Sequence, residues 1–241
     1  AMIVSSLTLA AGAQAVPTNF DWGNGTPGSL ATNQTSIDWN EQGSGVAKGR
    51  GPFGNVGALT PGSTFQFLYQ ANLVGVNPTA GAPAGLDTSS NGSWATASSF
   101  EFTIVATLNE IVTSLTGPTP IGGGTNKFDS TFGLDTSLVS TVSIFYDTAA
   151  GGGLNANTAN GTGFDDGLEV ARMTIDEGVP GFATLTTFTA LVGGLSGGTG
   201  QGAAKIHAAL HAPTDFVDEN YFKGLVDFIF DAEFQSNLNY P

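Results

Sequence analysis

Hydrophobic and polar residues alternate along this chain with a period of two, in short separated blocks. Between residues 64 and 74, Phe65, Phe67, Tyr69, Ala71 and Leu73 fall on one side, and Thr64, Gln66, Gln70 and Asn72 on the other. Phe100, Phe102, Ile104, Ala106 and Leu108 alternate with Glu101, Thr103 and Thr107. Val226, Phe228, Phe230 and Phe234 alternate in the same way with Asp227, Asp231 and Glu233. Successive side chains of a strand point to opposite faces, so each block predicts a strand with an apolar inward face and a polar outward face. Further strands are expected at 140–147, 168–175, 183–192 and 204–210, with shorter ones near Phe20, Ile37 and Lys127. Residues 110–115 continue or pair with the strand before them, and 216–223 suggest a turn or two of helix.

Between these blocks lie stretches rich in Gly, Asn, Pro, Ser and Thr, with Asn77-Pro78 and Asn91-Gly92 as turn signals. Residues 43–62 and 75–98 read as loops. So do 151–163, a glycine- and asparagine-rich run whose residues suit turns and offer nothing to pack a core. No long segment has a 3.6-residue period, and no fixed-period repeat is present. Eight to eleven strands joined by turns imply one all-β domain, an antiparallel β-sandwich of jelly-roll type.

The composition narrows the function. Only 11% of the residues are charged, and the formal net charge is −14, with six Lys and Arg. A surface covered by Ser, Thr, Asn, Gln and Gly is typical of exported β proteins. The excess negative charge repels nucleic acid and anionic lipid. There is no cysteine, hence no disulfide and no thiolate metal site. The short apolar run at 2–12, followed by Ala13, Gln14 and Ala15 in the A-x-A pattern, reads as the remnant of a signal peptide. On that reading the mature chain starts near Val16, with 16–62 as the loop-rich first part of a domain that extends to Pro241. A first strand of the core is the competing reading. The run is too short to span a bilayer, so no transmembrane segment is expected in this chain.

The most function-like feature is the acidic corner around the hairpin 140–175. Asp147 ends one arm, and Asp165, Asp166 and Glu169 open the other. If the four carboxylates meet, calcium is the ion they suit, since hard oxygen ligands favour it. Residues 160–168 come close to the calcium β-roll nonapeptide. They depart from it at Asn160 and Gly167, and the unit occurs once where a β-roll stacks several. A solvated acidic turn explains the same residues. His207 and His211 lack the intervening Glu of a zinc protease, and in a strand they stand about 13 Å apart, too far for one metal. Trp22, Trp39 and Trp94 are expected to pack or pin loops; a sugar-stacking platform is the alternative. Twenty acidic residues offer many pairs for a glycoside hydrolase, but nothing in the sequence selects one.

The stretches 205–216, with His207, His211 and Asp215, and 234–241 resemble exported PEP-CTERM proteins of the flocculation-associated type. So do 65–72, 141–147 and 163–167. The likeness extends over about residues 60–241. It implies a secreted, non-catalytic protein of an exopolysaccharide-producing Gram-negative bacterium, held at the cell surface or in the extracellular matrix and linked to cell aggregation in flocs and biofilms. Its partners would be exopolysaccharide or other surface proteins. The family's sorting tail, a Pro-Glu-Pro motif with an apolar helix and a basic end, is not in this sequence, and the anchoring tail is expected to have been removed. The alternatives on the same fold are a carbohydrate-active enzyme and a calcium-stabilised adhesin.

Overall fold

The computed structural model describes residues 2–8, 18–23, 30–34, 36–40, 43–48, 60–77, 82–89, 91–92, 98–122, 125–151, 153–176, 186–193, 198–225 and 227–238. Fifteen strands are described: β1 (Met2–Thr8), β2 (Thr18–Asp21), β3 (Leu30–Gln34), β4 (Ser36–Trp39), β5 (Ser44–Lys48), β6 (Thr64–Asn77), β7 (Phe100–Gly122), β8 (Thr125–Leu134), β9 (Thr141–Thr148), β10 (Leu168–Asp176), β11 (Thr186–Gly193), β12 (Gly198–Ala209), β13 (Phe216–Val217), β14 (Phe222–Lys223) and β15 (Asp227–Leu238). Among the described residues the only helical piece is a 3-10 turn at Ala149–Gly151. None of the helices is long and apolar enough to cross a membrane.

The strands form one large antiparallel sheet and a small sheet of β14, β2 and β3. The large sheet curls back on itself. Pairings run from β7 through β8, β11, β12, β15, β1, β4 and β6, and return to β7. A second path from β7 to β12 passes through β9 and β10. Facing stretches of the curled sheet enclose one core, the all-β sandwich-like arrangement that the period-two pattern predicts.

Strand β7 joins the halves. Its first part lies between β6 and β9, and its second part pairs with β8. On its apolar face Phe102, fully buried, is the hub of an aromatic cluster. Its ring centroid is 4.9 Å from Tyr146 on β9 and 5.0 Å from Phe20 on β2. Phe20 in turn stacks on Phe222 of β14 at 5.1 Å. The small sheet is thus fastened over the large one by aromatic rings. Each such ring contributes roughly 1.5–3 kcal/mol through removal from water.

Several sequence expectations are corrected by tertiary pairing. Residues 44–48, read as loop, pair with 66–70. The segment at 216–223, read as helical, supplies β13, an Asp218 turn and β14, because β10 and β2 offer it backbone partners. Met2–Thr8, for which a leader remnant and a first strand are the two readings, forms β1 between β15 and β4. Trp39 is 2% exposed, and Trp22 packs against the core. Trp94 lies outside the described residues.

The largest correction concerns the outward face of β7. Glu101 and Thr103 are only 1% and 3% exposed, and Asn72 beside them on β6 is 0%. The segment 153–167 covers them, burying Leu154, Ala156 and Phe164. The glycine-rich loop therefore does pack, and it seals a second face of the sheet.

Phe102→Ala is expected to lower the unfolding free energy by about 3–5 kcal/mol, a large share of a domain's usual 5–15 kcal/mol or so. Phe216→Ala, at a position 37% exposed, should cost about 0.5 kcal/mol or less. Urea titration of the two variants compares them directly, and equal losses would contradict the placement of the core.

Candidate functional site

The site lies under two loops on the second face of β6, β7 and β9. Backbone register puts Glu101 of β7 directly opposite Asp147 of β9, and Thr103 opposite Asn72 of β6. Thr103 donates its hydroxyl to the Phe164 carbonyl oxygen at 2.6 Å, tying the covering loop to the sheet. The Asn155 backbone N–H donates to one Glu101 carboxyl oxygen at 3.3 Å. The Asn72 side-chain amide donates to the other at 3.3 Å and to the Ser89 carbonyl at 3.0 Å. Asn155 also donates its side-chain N–H to Asp166 at 2.9 Å.

Two glycines allow the loop to come this close. A Cβ at Gly153 would collide with the Asp147 carboxylate. At Gly163 the backbone has φ +75°, and a Cβ would collide with the Asn155 side chain. Only glycine meets both demands, the positive φ and the close approach.

The predicted acidic quartet divides. Asp147 and Asp166, the latter exposed to solvent, both act on Glu101. Asp165 is exposed to solvent. Glu169 is taken by Arg172 in a two-pronged contact, Nε to Oε1 at 2.9 Å and Nη2 to Oε2 at 2.8 Å. In a regular strand residues three apart face opposite sides. The register shift between Glu169 and Ala171 turns Arg172 onto the Glu169 side. Among the described residues no three His, Asp or Glu side chains are placed to hold one metal ion. The four carboxylates read as a calcium set therefore do not share one ligand shell.

Two acids that sequence reasoning passed over take their place. The alternation places Glu101 toward solvent, and Asp87 lies within a predicted loop. Asp87 is 3% exposed and accepts hydrogen bonds from the Ser89 N–H, the Ser89 hydroxyl and the Ser98 hydroxyl. Burial pushes the Glu101 carboxyl up to about 8. The Asn155 N–H opposes that rise, while the negative charges of Asp87, Asp147 and Asp166 add to it. Glu101 is thus a neutral acid at pH 7. Glu110, further along β7 and opposite Phe65 and Leu134, is also pushed up to about 8, by burial alone.

Other polar groups are structural. Asp215 accepts from the backbone N–H groups of Thr174, His211 and Ala212 and from the Thr174 hydroxyl. Although burial works against ionisation, these bonds hold its carboxyl below the usual range. His207 lies on a strand, paired in register with Asp176 and Ile229, and His211 follows in the turn that Asp215 staples.

Chemically, the site is a buried carboxyl group that accepts two amide N–H groups and has three carboxylates acting on it. No protein-family model, curated protein or solved structure matches this chain.

The two raised acids set a pH dependence. Between about 4.5 and 8 the folded chain holds protons at Glu101 and Glu110 that the unfolded chain has released. The slope of unfolding free energy against pH is then negative, about 1.4 kcal/mol per unit at most for each group. The stabilisation is fully present below 4.5 and is lost as pH rises through 8. Urea midpoints from pH 5 to 9 should fall in the native chain and fall much less in the Glu101→Gln/Glu110→Gln double variant. A native midpoint that rises over this range would contradict the burial of both acids.

Proposed function

We propose that this chain is an exported, non-catalytic protein of the cell surface or extracellular matrix, associated with exopolysaccharide and cell aggregation. The observation that carries the reading is the sealing of Glu101. The Glu101 carboxyl, raised to about 8, is 1% exposed and accepts the Asn155 N–H of the segment 153–167 of the same chain. A general acid must come within hydrogen-bond reach of its substrate, and here the chain's own loop occupies that position. The reading is also supported by a surface of low charge density, by a net charge of −14 that resists compaction with nucleic acid or anionic lipid, and by the resemblance to flocculation-associated exported proteins. Exopolysaccharide or other surface proteins are the partners it implies.

A carbohydrate-active enzyme is the second reading, and one observation favours it. Glu101, raised and neutral, stands opposite Asp147 across two strands. A protonated acid facing a second carboxylate is the pairing that glycoside hydrolysis uses.

Single-carboxylate variants separate the two. Deleting the gene in its source bacterium is expected to disperse aggregates while polysaccharide synthesis continues. Re-expression of Glu101→Gln or Asp147→Asn should restore aggregation to the wild-type level. If either variant is folded and exported yet leaves the cells dispersed, and the purified wild type cleaves the polysaccharide, the enzyme reading replaces the first.

A further inference from the structure

The second face of the large sheet extends beyond the stretch around Glu101 and Thr103 that the loops seal. In the next row, register aligns Gln70 of β6, Val105 of β7, Ser143 of β9, Arg172 of β10 and Phe216 of β13. The row after it holds Leu68, Thr107, Thr141 and Thr174. Their chain neighbours Tyr69, Ile104, Ala106, Val142 and Met173 fill the core, so both rows point away from it. Gln70 and Ser143 are buried. The others are half-buried, and Phe216 is 37% exposed, so this part of the face meets solvent.

Apolar groups cross it obliquely. Leu68, Val105 and Phe145 occupy successive diagonal positions on β6, β7 and β9, a spacing of roughly 7–8 Å that lets side chains touch one ligand together. Phe145 is half-buried, and Phe216 lies two strands away, opposite Arg172. Two strand spacings are about 10 Å, so one sugar ring cannot cover both phenyl groups and a chain of sugars can. An accessible apolar stripe rimmed by polar groups marks a binding surface.

The polar rim is partly fixed and partly unused. Arg172 is held by Glu169 in the two-pronged contact, with side chains 40% and 19% exposed. The Thr174 hydroxyl is held by Asp215. Thr107 and Thr141 stand opposite each other, and their hydroxyls bond no other group among the described residues. The Arg172–Glu169 pair leaves these rows without net charge on a chain of formal charge −14. An acidic polymer, or a second copy of this chain, meets repulsion from the rest of the molecule. A neutral glycan does not. Its C–H faces suit phenyl rings, and its hydroxyls suit guanidinium donors and carboxylate or hydroxyl acceptors.

We propose that the open face of β6, β7, β9, β10 and β13 binds a neutral polysaccharide chain, with Phe145 and Phe216 as stacking rings and Arg172 and Glu169 as the pair that reads sugar hydroxyls. The assignment rests on the exopolysaccharide reading above and gives it a surface and a ligand class.

Affinity gel electrophoresis of the whole chain tests it, with exopolysaccharide from the source culture split by anion exchange into neutral and acidic fractions. The neutral fraction is expected to retard the wild type. Phe216→Ala should weaken that binding roughly two- to tenfold, the range of one aromatic contact. The Glu169→Gln/Arg172→Gln double variant should weaken it too, and serves as an independent probe of the same face. Leu138→Ala, 53% exposed in the turn before β9 and off this face, should bind as the wild type does. If the wild type is retarded while Phe216→Ala and the double variant match it, the face is overturned and the exopolysaccharide reading stands. If neither fraction retards the wild type, both fall. Retardation by the acidic fraction alone overturns the neutral ligand. A dimer in sedimentation velocity that Phe216→Ala abolishes, with no glycan bound, gives the face to a second copy instead.

Discussion

The constraint on which this structure depends is the burial of β7 on both faces. From Phe100 through Ile104 every side chain is shielded from water, the even-numbered ones by aromatic packing and the odd-numbered ones by loops. An antiparallel strand with one wet face accommodates polar residues freely. A strand covered twice must give each polar group a partner or neutralise it. Thr103 and Asn72 find carbonyl oxygens in the loops. Glu101 receives two long hydrogen bonds from nitrogen donors at 3.3 Å, and with three carboxylates nearby it keeps its proton.

That constraint also links sequence to the site's chemistry. The apolar face of β7 builds the hub around Phe102, which fixes β9 against β7 and so sets Asp147 opposite Glu101. The loop that leaves β9 then has to fold back over the same two strands. Glycine at 153 and 163 lets it descend far enough for Leu154, Ala156 and Phe164 to become buried. The resulting pocket is polar inside and closed outside.

Much of the fold was legible because alternation is a local signal. The blocks around Tyr69 and Ile104 each declare a strand with a definite inward face, and those faces are buried or partly buried as read; the side chains of the block 226–234 lie outside the described residues. The covering of the other face was hidden for a physical reason. The loop's buried residues, Leu154, Ala156 and Phe164, are too few and too scattered to make a periodic pattern, and their burial depends on pairing between segments far apart in sequence. The acidic quartet illustrates the same limit. Its clustering along the chain was visible, but the bulge that turns Arg172 toward Glu169 was not. The residue that replaced Glu169, Glu101, looked like an ordinary solvent-facing position of an alternating strand. One hint was available: a carboxylate placed between Phe100 and Phe102, in a chain with few charges.

The state of Glu101 can be observed directly. Carbon-13 NMR of the glutamate side-chain carboxyl, with the Glu101 resonance assigned by its loss in Glu101→Gln, follows this one group through pH 4 to 10. A titration midpoint near 8 is expected, with the Asn155 backbone amide shifting at the same midpoint because it donates to that carboxyl. A midpoint near 4.5, the ordinary glutamate value, would mean that water reaches Glu101 and that the loops do not seal it.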